Sequence, residues 1–201
     1  MAGNPVIHVI DDDDAARDAL AFLLRTDNFS VHAYDSAKAF LCALPAAEEG
    51  CVVTDVKMPE MTGLELLRRL KGMGNSWPVI VMTGQADVPI AIEAIKSGAV
   101  DFIEKPYDAD VLLGAVKAAL GGQTSDAGNS QRSEIQRTLA ALSSQERQVM
   151  EALVEGRSNK TIAHDLGLNA HTIEVHRASV MTKMQATSLS HLVRMVLLAP
   201  S

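Results

Sequence analysis

Four consecutive carboxylates, Asp11-Asp12-Asp13-Asp14, follow a short apolar run, Val6-Ile7-His8-Val9-Ile10. Asp55 follows a second run, Cys51-Val52-Val53-Thr54, and leads into Lys57-Met58-Pro59. Thr83-Gly84 closes a third, Val79-Ile80-Val81-Met82, and Lys105-Pro106 comes just after a fourth, Val100–Ile103. Carboxylates crowded on one rim repel each other, and a hard divalent cation relieves the repulsion. Mg²⁺ takes oxygen ligands at about 2.0–2.1 Å, keeps several waters, and favours one or two carboxylates plus a phosphate. Lys105 is a compact charge able to pair with Asp55 or with an added phosphoryl group. Thr83 has a hydroxyl to donate to the same group. Each residue also has an ordinary reading: an acid run before a helix caps it, a strand-ending Thr is turn chemistry, and Lys-Pro is a loop. Their shared place, just after separate apolar runs, is what argues for a site.

The elements that must hold these residues read as five strand–helix units. Strands over 6–10, 29–34, 51–54, 79–82 and 100–103 alternate with helices through Leu20, Leu23 and Leu24, near 36–44, through Leu64, Leu67 and Leu70, near 88–97 and near 109–120. Alternation of this kind predicts an α/β fold, a five-stranded parallel sheet wound on both faces with helices. In such sheets ligands lie beyond the carboxyl ends of the strands, where the acids, Thr83 and Lys105 fall.

The set Asp11-Asp12, Asp55-x-x-Met58-Pro59, Thr83-Gly84 and Phe102-x-x-Lys105-Pro106 resembles the receiver domain of two-component response regulators over residues 5–121. The resemblance implies that Asp55 accepts a phosphoryl group from a sensor histidine kinase. It implies Mg²⁺ held by Asp11, Asp12, Asp55 and the Lys57 carbonyl, with Thr83 and Lys105 on the phosphoryl oxygens. It also implies a cis Lys105–Pro106 bond and Phe102 as a switch aromatic that follows Thr83 inward when Thr83 is drawn towards the phosphoryl group. The changed surface would be a dimer face including Ile92, Ile95, Lys96 and Val100; core packing is the competing reading, the stronger one for Ile95 and Val100.

Residues 123–136 are polar and rich in Gly and Ser at their start, and read as a linker between a domain over 1–122 and another over 137–201. Beyond it the apolar spacing is helical throughout. Ser143 or Ser144, Ser158 and Asn169 offer N-caps, and Gly156 and Gly167 offer stops. Helices near 159–166 and 170–184 joined through Gly167 make a helix-turn-helix, whose second helix enters the major groove. On that helix Thr172, Val175, His176, Ser179 and Lys183 share one face by spacing, with Ile173, Val180 and Met184 opposite; a merely solvated polar face is the ordinary alternative. Leu142-Ser143, Glu146-Arg147, Ser158-Asn159-Lys160, Thr172–His176 and Lys183 resemble the LuxR-type DNA-binding domain over about residues 140–198. That resemblance puts Asn159, Lys160, Thr172, His176 and Lys183 on phosphates, and Glu174, Val175, Arg177 and Ala178 near base edges. A glutamate at 174 repels phosphate but accepts from cytosine N4.

Together the two halves resemble the NarL/FixJ class. The resemblance implies a cytoplasmic activator that is monomeric until phosphorylated, then a homodimer on double-stranded promoter DNA working with RNA polymerase. The partner would be a FixL-like kinase and the targets nitrogen-fixation genes expressed under low oxygen.

The 201 residues carry a net charge of −7, which at first argues against a nucleic-acid binder. The charge is unevenly spread: residues 1–122 hold 18 acidic against 10 basic residues, and residues 123–201 hold 7 against 8. The acidity therefore reports on the first half. With 3% aromatic residues, stacking on single strands is disfavoured and duplex DNA is the expected partner. No apolar run reaches the roughly 18 residues needed to span a bilayer, and the N-terminus lacks the pattern of a secretory signal. Cys42 and Cys51 are expected as reduced, half-buried thiols. The enzyme alternative is a Mg²⁺-dependent phosphatase of haloacid-dehalogenase type, with Asp11 as nucleophile in Asp11-x-Asp13.

Overall fold

The structure, a computed structural model, describes residues 4–84, 88–121, 126–186 and 189–198. It forms two compact units, the first drawn mostly from residues up to 123 and the second from 124 onward.

In the first unit the elements run β1 (Val6–Ile10), α1 (Asp14–Thr26), β2 (Ser30–Tyr34), α2 (Ala37–Ala43), a 3₁₀ turn (Leu44–Ala46), β3 (Gly50–Asp55), α3 (Gly63–Gly72), β4 (Val79–Thr83), α4 (Val88–Lys96), β5 (Asp101–Glu104) and α5 (Ala109–Leu120). All strand pairs are parallel, in the order β2-β1-β3-β4-β5. The central strands β1, β3 and β4 are buried along their whole length, which is why they read as unbroken apolar runs. One face of the sheet packs Ile7, Val9, Val53 and Ile80 against Leu20 and Leu24 of α1 and Leu112 and Val116 of α5. β1 and β3 are neighbours although β2 lies between them in sequence, so the chain reverses direction across the sheet there. Asp11 and Asp55 follow or end these two strands, at the crevice such a reversal opens.

Local signals start the helices. Asp13 caps α1 by accepting from the Ala16 N–H, and Thr62 and Glu65 form a capping box at α3. Asp13 is thus a helix cap, which leaves the Asp11-x-Asp13 pair without its second phosphatase carboxylate.

The second unit holds α6 (Asp126–Ala140), α7 (Ser144–Val154), α8 (Asn159–Leu166), α9 (Ala170–Lys183) and α10 (Leu189–Leu198). Ser143 with Glu146, Ser158 and Asn169 cap α7, α8 and α9, and Gly167 ends α8 in the left-handed region at φ 64°. Val149, Leu153, Ile162, Ile173, Val180, Met184, Leu192 and Val193 make its core. Of the segment expected as a linker, 123–125 lie outside the described residues, and from Asp126 on it is helical rather than irregular. Its polar composition forbids a buried face of any width but does not forbid helix, because Asp, Gln, Arg and Glu lose little in a solvated helix.

Two smaller expectations change. Cys51 is fully buried and Cys42 exposed, so neither is half-buried; both are free thiols. Among the described residues no helix is long and apolar enough to cross a membrane.

Candidate functional site

The carboxyl end of β3 delivers Asp55 into a site that is only 8% exposed. Its Oδ1 accepts from Lys105 Nζ at 2.6 Å, and its Oδ2 accepts from the Lys57 backbone N–H at 2.6 Å. The same ammonium donates to Asp11 Oδ2 at 2.8 Å, so one cation bridges the two acids. Asp11 is fixed from three further directions. Its Oδ1 accepts from the Asp13 N–H at 3.0 Å, its carbonyl from Arg17 Nη1 at 2.8 Å, and its own N–H donates to the Tyr34 carbonyl. Arg17 pairs with Asp14 as well.

Thr83 is buried beside β5, where its carbonyl accepts from the Lys105 N–H at 2.7 Å and its hydroxyl donates to the Gly84 carbonyl. The Lys105–Pro106 bond is cis. Gly63 matters in a way the sequence reading missed: a Cβ there would lie 2.1 Å from the Asp55 carbonyl, so only glycine lets α3 start against the strand that carries Asp55. A glycine immediately after an N-cap threonine, eight residues beyond Asp55, was the available signal.

Burial is the largest influence on Asp55 and raises its pKa. The Asp11 charge adds to this, while the Lys105 ammonium and the Lys57 N–H oppose it. Burial works to lower the Lys105 pKa, but the hydrogen bonds to Asp11 and Asp55 prevail and raise it.

Asp11, Asp55, Thr83 and Lys105 thus meet as expected. Asp12 does not join them: its side chain is exposed, and among the described residues no three His, Cys, Asp or Glu side chains are grouped to hold a metal ion. At Lys57 it is the N–H, not the carbonyl, that the structure shows on Asp55. The Phe102 ring is 2% exposed while the Thr83 hydroxyl is bonded to Gly84. The ring therefore does not wait for Thr83 to be drawn towards Asp55. Of the expected dimer-face residues, Lys96 and Val100 are exposed and Ile92 and Ile95 half-buried. Core packing is thus the wrong alternative for Val100 and only half right for Ile95, because Val100 precedes β5 instead of lying within it.

In the second unit α8 and α9 present the expected DNA-reading residues unevenly. Lys160, Glu174, Val175 and Ala178 are exposed, Val175 at 54%. Asn159, His176 and Arg177 are partly buried, and Thr172 turns its hydroxyl onto the Asn169 cap at 2.9 Å. Lys183 Nζ lies 2.7 Å from Glu146 Oε2, and Ser179 Oγ donates to Glu146 Oε1 at 2.6 Å. The outward stripe of α9 is therefore His171, Glu174, Val175, Ala178 and Thr182, one residue out of step with the face inferred from spacing. His171, whose Nδ1 is 3.8 Å from Glu174 Oε2, was missed; its place three residues before Glu174 is the signal that could have found it.

An α/β unit with a buried aspartate at this crevice, followed by a capped helix-turn-helix, defines a class of two-part signal-responsive regulators. Residues 7–117 match the model for the response regulator receiver domain, and residues 140–196 match that for bacterial regulatory proteins of the luxR family. The transcriptional regulatory protein FixJ of Azorhizobium caulinodans is 54% identical, over 96% of this chain and 92% of that protein. The response regulator protein TodT of Pseudomonas putida is 41% identical, over 94% of this chain and 84% of that one. The crystal structure of full-length FixJ from B. japonicum matches with a TM-score of 0.58 at 50% identity, covering 98% of both chains. The chain belongs to the response regulators that join a receiver domain to a LuxR-type DNA-binding domain, and is FixJ-like among them. It is a transcription regulator, and the phosphatase alternative has no support.

Proposed function

We propose that Asp55 is the phosphoacceptor through which a FixL-like sensor histidine kinase controls this regulator. The observation that carries the reading is the Lys105 ammonium held between the Asp55 and Asp11 carboxylates at 2.6 and 2.8 Å. An Asp55 oxygen attacks the phosphorus of a phosphohistidine; the P–N bond breaks, and its electron pair leaves with the imidazole, which takes up a proton. Burial makes Asp55 more basic than an ordinary carboxylate and so a better nucleophile once ionised. Lys105 then turns from Asp55 to the new phosphoryl oxygens, and the Thr83 hydroxyl exchanges the Gly84 carbonyl for one of them. Two carboxylates facing one cation are a donor set that suits Mg²⁺. Asp11, Asp12, Asp55 and the Lys57 carbonyl would hold it, and when bound it neutralises charge on the phosphoryl oxygens. The phosphotransfer is the chain's own chemistry in an otherwise non-enzymatic role.

Rearrangement of Thr83 and Lys105 is transmitted to α4, β5 and α5, where Lys96 and Val100 stand exposed beside Ile92 and Ile95 as the dimer face. The monomer becomes a homodimer on double-stranded promoter DNA in the cytoplasm. There it activates transcription by RNA polymerase of nitrogen-fixation genes under low oxygen. Lys160 and Asn159 supply phosphate contacts, and Glu174, Val175 and Ala178 face base edges. Treatment with acetyl phosphate and Mg²⁺, following intact mass, oligomeric state and DNA affinity together, tests the reading. Wild type gains one phosphoryl group, dimerises and binds DNA more tightly. Labelling that survives in Asp55→Asn, or labelling of the wild type without dimerisation, overturns it.

A further inference from the structure

The carboxylate of Glu146 is the one buried acid of the DNA-binding unit among the described residues, at 5% exposure. It is fully engaged. The Ser143 N–H donates to Oε2 at 2.7 Å, completing the capping box of α7. Ser179 Oγ donates to Oε1 at 2.6 Å and Lys183 Nζ to Oε2 at 2.7 Å, both from α9. Ser179 and Lys183 are four residues apart, one turn along the same face of α9. Each residue of an α-helix advances about 100° and 1.5 Å. A rotation of α9 by one residue, or a slide of one residue, would take both donors off the carboxylate and leave a buried charge unpaired, which is strongly unfavourable.

We infer that Glu146 is the positioning residue of the recognition helix, and that Lys183 is its counter-charge and not an anchor for DNA phosphate. The inference rests on the reading of α9 as the helix that enters the groove. The clamp sets the rotation of α9 about its axis and thereby which stripe reaches the bases: His171, Glu174, Val175 and Ala178. Glu174 can accept from cytosine N4, and the 54%-exposed Val175 offers an apolar contact to a thymine methyl. Because the Lys183 charge is already neutralised by Glu146, the lysine displaces no counterion from the duplex.

The test uses full-length protein and a duplex selected from a random pool by the wild type, with a scrambled duplex for comparison. Affinity is measured against salt concentration for wild type, Lys160→Met, Lys183→Met and Glu146→Gln, with far-UV circular dichroism confirming that each variant is folded. Removing one lysine from a DNA phosphate makes the slope of log K against log salt shallower by about 0.9. Lys160→Met shows that decrease. Lys183→Met keeps the wild-type slope yet loses about tenfold in preference for the selected duplex, the scale of one base contact. Glu146→Gln, which retains shape and an acceptor for Ser179, loses preference with it. A merely structural role would lower the melting temperature without moving preference, and that result overturns the inference. A slope shallower by about 0.9 in Lys183→Met overturns it equally. An unchanged slope in Lys160→Met refutes the proposed phosphate contacts instead, and Lys183→Met still decides this one.

Discussion

Each unit of the molecule is built around a buried carboxylate paired with a lysine, and the two acids are poised in opposite directions. Asp55 is 8% exposed and its pKa is raised, with burial prevailing over Lys105. Glu146 is 5% exposed and its pKa is held down to about 2 by Lys183, Ser179 and Ser143. The difference lies in how completely the donors match the charge. Three donors, one of them an undivided ammonium, converge on Glu146. Asp55 shares its ammonium with Asp11, whose charge also repels it. An acid whose lone pairs are all met is a structural part. An acid held beside a second acid, with one cation between them, is left basic enough to react.

The sharpest way to break this contrast is to exchange each acid for its amide. Asp55→Asn is expected to abolish phosphoryl incorporation from acetyl phosphate, read by intact mass, while Glu146→Gln leaves incorporation at the wild-type level. Residual labelling of Asp55→Asn would place the nucleophile elsewhere.

Next in size is the removal of the shared cation. Lys105→Met leaves Asp11 and Asp55 facing each other. A unit charge about 4 Å away is worth roughly 1–4 kcal/mol between water and a protein surface. Calorimetric titration should therefore show Mg²⁺ binding at least about tenfold tighter in Lys105→Met than in wild type. Equal affinity would mean that Lys105 does not compete for the acids.

Much of this site was legible because each of its parts is a local pattern at a strand end. The buried strands announce themselves as apolar runs, so the residues that follow them can be placed on one rim without knowing the sheet order. What spacing could not supply was rotation. Periodicity put Ser179 and Lys183 on the same face as Val175, and nothing along α9 itself says that a carboxylate on α7 takes both. The same limit hid Gly63, whose necessity comes from the backbone of another strand. It hid the inward Phe102 ring too, since burial of a β5 side chain depends on what covers it. The helix over 126–140 was missed because composition reports on burial, not on backbone conformation.

Acid titration sets the two units against each other. The folded-state pKa of Glu146 lies below its ordinary value of 4.5, so its contribution is fully present above about pH 4.5 and is lost as pH falls towards 2. For Asp55 the shift is upward, so the folded protein binds the proton more readily, and the penalty of burying its charge is relieved as pH falls through its folded-state pKa towards 3.8. Acid unfolding followed by circular dichroism should therefore begin at higher pH in wild type than in Glu146→Gln, which has already lost the titrating group. Asp55→Asn should not shift the onset in that direction. A Glu146→Gln curve parallel to wild type would show that the clamp is not what titrates.

The smallest expected effect comes from a buried group with no counter-charge, which isolates burial as a cause. His8, in the middle of β1, is fully buried, stacked between His32 at 5.6 Å and Trp77 at 5.1 Å, with Phe40 at 5.4 Å. Its Nε2 lies 2.9 Å from the Glu48 carbonyl, to which it must donate, which leaves Nδ1, 3.3 Å from the Tyr34 hydroxyl, to accept in the neutral ring. Burial lowers its pKa, the neighbouring His32 adds to this, and the Glu48 carbonyl and carboxylate oppose it without prevailing. A depressed histidine means that the unfolded chain takes up the proton first. Stability of the receiver is full above about pH 6.5 and declines as pH falls below it. Trp77, the only tryptophan, reports the transition through its fluorescence in urea titrations at pH 7.5 and 5.5. His8→Leu should remove the dependence on pH across that interval while costing about 1 kcal/mol at pH 7.5, because the Glu48 carbonyl loses its donor. If His8→Leu keeps the wild-type pH dependence, burial alone does not set the direction. The contrast between Asp55 and Glu146 would then need a cause beyond how fully each charge is met.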